Sequence, residues 1–132
     1  MRFIRRIQAG FGSNRPIKNV LLDHTFVAGI GNIYACEILF RSFLSPKRRA
    51  CRISPAETKT IHHTIKEVLS EAIFYRGSSM RNYRDGSGQK GLFYERLAVY
   101  SRQGLPCPRC KKTIQRIAQA GRSTFYCGHC QK

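Results

Sequence analysis

The chain has 132 residues, 42% of them hydrophobic, which suits one ordinary domain or a small domain with a metal-stapled module and argues against a disordered tail. Its 24 Lys and Arg against 7 Asp and Glu give a formal net charge of +17, more than solubility requires and suited to a polyanionic partner, nucleic acid before an anionic membrane surface. No apolar run approaches the ~18 residues needed to cross a bilayer and no secretory signal is visible, so a membrane-spanning or secreted class is set aside and a reducing intracellular setting, cytoplasm or nucleoid, is expected.

Residues 1–15 form a basic lead-in, MRFIRRIQAGFGSNR, in which Gly10, Gly12 and Ser13 interrupt any long helix. Its lack of acids is a trait of organelle-targeting peptides, but the same bias runs along the whole chain. A helix is predicted from Pro16, which a first turn tolerates, with Ile17, Val20 and Leu21 on one face. Gly29 and Gly31 then mark a double turn, and Asn32 is expected to cap a helix from Ile33 to about Ser42. Ile33, Cys36, Glu37 and Phe40 share one side of that helix by spacing. Asp23 and Glu37 are expected to tie down the turns.

The clearest helix follows Ser54, Pro55 and Glu57, which stand in capping-box order before the stripe Ile61, Ile65, Val68, Leu69, Ala72 and Ile73. Gly77 is placed for its C-terminal cap. Together these elements define a helical domain over 16–77. The segment 78–95 is polar and glycine-rich, and expected to be mobile. A strand-like run, LAVYS, leads into the last module, 96–132.

That module holds Cys107, Cys110, Cys127 and Cys130, two C-x2-C pairs with sixteen residues between them. Each pair presents two thiolates to one tetrahedral ion, and TIQRIA and STFYC alternate as paired strands joined at QAGR. One structural zinc is the reading. Disulfide or redox use is the alternative, but no thioredoxin-like βαβ pattern surrounds either pair. A finger this small draws much of its folding energy from its metal, and we expect it to unfold on chelation while the helices persist. His129 reads as a bystander, and Cys36 and Cys51 as ordinary thiols. Arg122, at the hairpin tip, is a probe for a phosphate or groove. In GIGNIY, the first amides of the Asn32 helix suit a phosphate oxygen, with the Asn32 side chain as an added donor. Lys18, Arg41, Lys47, Arg48 and Arg49 extend the charge as solvated surface residues.

IKNVLLDHTFVAGIGNIYACEILFRS, GSSMRNYRDGSGQKGLF, LAVYSRQGLPCPRC and GRSTFYCGHCQK together resemble the C-terminal half of the formamidopyrimidine-DNA glycosylase and endonuclease VIII family of base-excision repair enzymes. The resemblance implies a mainly α fold, a helix–two-turn–helix domain followed by a small β zinc-finger hairpin with four cysteine ligands. It also implies a monomer that clamps lesion- or abasic-site-bearing duplex DNA, through phosphate contacts at the positions of Asn32 and Arg122. Gly31, Lys18 and Lys90 complete the candidate DNA-binding set, and Ser78 to Gly91 matches the loop that closes over an extruded base.

Family members also carry an N-terminal β-sandwich catalytic domain beginning Pro-Glu, whose proline amine forms a Schiff base with the sugar. This chain reads Met1, Arg2, Phe3 instead, and no counterpart of that domain is seen, so no catalysis is expected from it alone. A catalytic half supplied in trans, an upstream reading frame or an RNA-binding module are the alternatives. His24 and Ser101 stand where the family pattern has glutamine and glycine; at Ser101 this is expected to cost a backbone conformation.

Overall fold

The computed structural model describes residues 12–23, 30–74 and 95–132. Their elements are α1 (Ile17–Leu22), α2 (Asn32–Arg41), a short 3-10 turn (Ala50–Arg52), α3 (Pro55–Phe74) and an antiparallel hairpin of β1 (Gln115–Gln119) and β2 (Arg122–Tyr126). The order is the expected one: a helix–two-turn–helix module, then a zinc-finger hairpin. The basic lead-in through Phe11, the double turn with Gly29, the Gly77 cap and the loop that contains Lys90 lie outside the described residues.

Pro16 proves to be the N-cap of α1 and not a first-turn residue. The chain around it runs antiparallel to 48–51, with Ile17 N donating to Arg48 O at 2.7 Å and Ala50 N to Arg15 O at 2.9 Å. The capping box of α3 forms as predicted. Ser54 N donates to Glu57 Oε1 at 3.0 Å, and Glu57 N to Ser54 Oγ at 3.1 Å.

Helix α2 stands between two cores. One side, Ala35, Ile38 and Leu39, packs with Ile17, Val20 and Leu21 of α1 and with Ile61, Ile65 and Val68 of α3. On its other side Cys36 and Phe40 pack with Val99, Ile114, Phe125 and the metal-site cysteines Cys107 and Cys127. The finger is therefore not an independent module, since two of the seven buried residues of its core come from α2. Its two cysteine turns also bond the C-terminal end of α2 and the residues after it. Arg109 Nη1 donates to Phe40 O at 2.7 Å with its guanidinium against the Phe40 and Phe43 rings, and Gln131 Nε2 donates to Leu44 O at 2.9 Å.

The predicted strand at LAVYS does not form. The amides of Ala98, Val99 and Tyr100 instead donate to the carboxylate of Glu37, at 2.7, 2.9 and 3.0 Å. A buried carboxylate that accepts from successive amides draws the backbone into a bend, where a ladder partner would have kept it extended. Glu37 thus ties down the chain entering the finger. Ser101 follows at φ 60°, the left-handed region that a glycine occupies without cost.

Arg41 and Arg48 are engaged in ion pairs and do not extend a free charged surface. Arg41 Nη1 meets Glu67 at 2.8 Å and Glu71 at 2.5 Å, and Arg48 binds both oxygens of Glu57 at 2.5 and 2.9 Å. The hydrogen bond from Arg41 holds the Glu71 carboxyl below its ordinary value against an opposing effect of burial. At Glu57 burial also opposes, but the Ser54 amide and Arg48 outweigh it and the shift is again downward. Groups depressed in the fold stabilise it above their unfolded pKa and cease to do so as pH falls through the folded value. We expect a urea midpoint that is flat from neutrality to about pH 5 and falls below about pH 4.5, with a shallower fall in Arg41→Met.

Candidate nucleic-acid interface and zinc centre

The four finger cysteines converge as the spacing predicts. Their Sγ atoms all lie within 4.8 Å of one another, with Cys107 to Cys130 at 3.8 Å and Cys110 to Cys127 at 3.5 Å. A tetrahedral ion about 2.3 Å from each sulfur would set its edges at about 3.8 Å. The turns are shaped for thiolates: Arg109 N points at Cys107 Sγ (3.3 Å) and Cys130 N at Cys127 Sγ (3.4 Å). Burial works against ionisation of Cys107, but the Cys110 and Arg109 amides outweigh it and bring the thiol to about 7. Burial and then the three neighbouring sulfurs push Cys130 up to about 12. Sulfurs this close share little negative charge unless a cation stands among them, and a divalent ion that prefers sulfur reverses that balance. The site fits one zinc ion, with all four positions filled by protein, which makes it structural. His129 is exposed and outside this set, as is Cys51, whose thiol meets Asn14.

The second centre joins α1, the start of α2 and β2. Asn32 is the first residue of α2 and not its cap; Gly31 holds that position, exposed, without a side-chain cap bond and with no acid in the first turn. The freed Asn32 side chain reaches across to the hairpin, where Nδ2 donates to Ser123 O at 2.9 Å. Lys18, expected on the surface, is fully buried. Its ammonium donates to Asn32 Oδ1 and to Thr124 Oγ1, the latter at 2.7 Å. Asn32 is therefore fixed with its oxygen toward Lys18, and one amide hydrogen remains for an external acceptor. Burial is the main cause that lowers the Lys18 pKa; the Cys36 thiol opposes it, and the Arg122 charge adds to it.

Arg122 opens β2 opposite Gln119, directly after the two-residue turn Ala120–Gly121, in which both residues have positive φ. It is exposed and borders a cleft of about 200 Å³ whose other walls include Arg15, Asn19 and Asp23. Asn32 is thus bonded to Ser123, the residue next to Arg122 and 91 positions on in the chain. Lys47 and Arg49 remain exposed, and Lys90 lies outside the described residues. Sequence reasoning missed Ser123 and Thr124 as the seat of Lys18. The one available signal was a lysine on the otherwise apolar stripe Ile17–Leu21.

The fold is thus a helix–two-turn–helix module bonded to a four-cysteine finger. The family model described as "Formamidopyrimidine-DNA glycosylase H2TH domain" matches residues 3–84, and that described as "Zinc finger found in FPG and IleRS" matches 104–132. The chain belongs to the formamidopyrimidine-DNA glycosylase family. It is 49% identical over 123 residues to formamidopyrimidine-DNA glycosylase of Gluconobacter oxydans (strain 621H), covering 92% of this chain and 44% of the relative. With the enzyme of that name from Desulforamulus reducens the identity is 50% over 116 residues, covering 88% and 42%. Among solved structures, MutM (Fpg) of Thermus thermophilus superposes with a TM-score of 0.89 at 43% identity, over 98% of this chain and 49% of that one. Lactococcus lactis Fpg in complex with abasic-site DNA gives 0.88 at 36%, over 97% and 47%. The chain spans about half the length of these proteins.

Proposed function

We propose that this chain grips double-stranded DNA carrying a damaged or abasic nucleotide, as the DNA-clamping C-terminal portion of a formamidopyrimidine-type glycosylase and AP lyase. The observation that supports this reading is the hydrogen bond from Asn32 to Ser123 of β2, the residue next to Arg122. Arg122 and Asn32 contact backbone phosphates directly, and the first turn of α2 behind Gly31 adds its partial positive charge. Lys18 acts from behind, orienting Asn32 and adding a cation to the local field. Lys90 and the segment 78–91 serve the lesion side of the same complex. That the solved Lactococcus lactis relative holds abasic-site DNA supports this choice of partner. Proline-amine chemistry is assigned to a catalytic half of the enzyme, and these 132 residues alone bind without cutting. The chain acts as a monomer within the cell, with duplex DNA as its binding partner.

Phosphate contacts position a protein without reading bases, so Arg122→Ala is expected to weaken binding alike on duplexes of different sequence. The slope of log K against log salt should become shallower by about 0.9, one phosphate's worth of released counterion. Fluorescence anisotropy with two unrelated duplexes over 50–200 mM salt checks both. A changed sequence preference would count against a phosphate role, and equal or tighter binding of structured RNA against DNA as the partner.

A further inference from the structure

At the end of the hairpin away from Arg122, by the cysteine turns, lies a pocket of about 530 Å³. Lys47, Lys112, Lys132, His129, Gln115 and Tyr126 are among its walls. Among the described residues, no Asp or Glu is among its walls. Of the chain's seven acids, five are engaged elsewhere: Asp23 pairs with Arg15, Glu37 holds the backbone amides, and Glu57, Glu67 and Glu71 pair with Arg48 and Arg41. Residues 96–132 carry eight Lys and Arg and no Asp or Glu. No ion pair joins the pocket's lysines to an Asp or Glu among the described residues, whereas Arg41 and Arg48 have such pairs.

The walls are also arranged. Lys47 Nζ sits 5.3 Å from the centre of the nearly buried Tyr126 ring, which holds the ammonium at the pocket's edge. Gly128 leaves room for the Gln115 amide, whose oxygen is 3.2 Å from where a Cβ would stand. The Lys132 main-chain oxygen, part of the terminal carboxylate of this chain, accepts from Arg48 at 3.2 Å. A concave site with three ammonium groups, amide and imidazole donors and no Asp or Glu among the described residues suits an oxyanion.

The pocket is not the place of Arg122. The ladder runs from Gln119 opposite Arg122 at the tip to Gln115 opposite Tyr126 at the base. Four residues of strand separate the two, about 13 Å. Along duplex DNA that is about four steps of 3.4 Å, so one phosphate cannot serve both.

We propose that this pocket is a second phosphate site, separate from that of Asn32 and Arg122, that takes a phosphate oxyanion between Lys47, Lys112 and Lys132. The source the geometry favours is a backbone phosphate of the gripped duplex, and in that form the proposal rests on the function proposed above. A free phosphate compound presents the same chemistry.

The test uses the zinc-loaded chain and its Lys47→Gln/Lys112→Gln variant, with zinc content and melting as controls for folding. Duplex binding is measured across salt, and inorganic pyrophosphate is titrated while the amide resonances of Tyr126, Gly128 and His129 are followed. A salt slope shallower by about 1.8 in the variant, with saturable pyrophosphate shifts in the wild type alone, establishes a backbone-phosphate site. Pyrophosphate shifts with an unchanged slope assign the pocket to a free phosphate compound. Unchanged slope and no saturable shifts overturn the proposal. Failure of the wild type to bind duplex at low salt would sink the DNA reading itself, and the pyrophosphate arm would still decide the pocket.

Discussion

Removal of zinc is expected to unfold residues 104–132 and, with them, to loosen the helices. Some thirty residues hold too little core to fold without the metal, whose binding supplies on the order of 10 kcal/mol in such fingers. The sequence alone pointed to helices that ignore this loss. The shared core changes that expectation, because Phe40 and Cys36 of α2 are buried against Val99, Ile114 and Phe125. Exposing Phe40 alone costs the helical module about 3 kcal/mol, which lowers its melting by roughly 15 °C. The same event removes Thr124 and Ser123 from Lys18 and Asn32, so DNA binding is lost together with the finger. Circular dichroism melting with and without chelator checks this. Helices that melt at an unchanged temperature after zinc is stripped would show that the two cores are not coupled.

Glu37→Ala is the point substitution with the largest expected effect on stability. It leaves the amides of Ala98, Val99 and Tyr100 without their acceptor in a place where Val99 and Glu37 itself are almost fully buried. Each orphaned buried donor costs about 1–3 kcal/mol, and partial rescue by water leaves a total of about 4 kcal/mol. Glu37→Gln keeps one acceptor oxygen and should lose about half as much. Urea denaturation of the zinc-loaded proteins measures both. Equal losses for the two variants would mean that the cavity and not the hydrogen bonding dominates.

The parts of the fold that were legible in the sequence are those written in local spacing. The Ser54–Glu57 capping box, the apolar stripe of α3 and the two cysteine turns each depend on residues within a few positions, and each forms. What was not legible depends on partners brought from far away. LAVYS reads as a strand by alternation, but its amides find a carboxylate some sixty residues earlier in the chain. Lys18 reads as a surface charge until Thr124, 106 residues on, supplies an acceptor in the interior. Asn32 has the chemistry of a cap, yet Gly31 takes that position because the Asn32 side chain is engaged by Lys18 and Ser123. Of the candidate interface, Lys18 was named from the sequence, but its burial against Thr124 and its bond to Asn32 were not legible there.

The central claim is that these residues grip a damaged duplex without attacking it. The most direct test incubates the zinc-loaded chain with a duplex bearing one abasic site in the presence of borohydride, followed by native and denaturing gels. A retarded complex on the native gel, with an uncut strand and no covalent adduct on the denaturing gel, is the expected result. A borohydride-trapped adduct would mean that an amine of this chain forms the Schiff base, and absence of any retarded complex at low salt would remove the DNA grip itself.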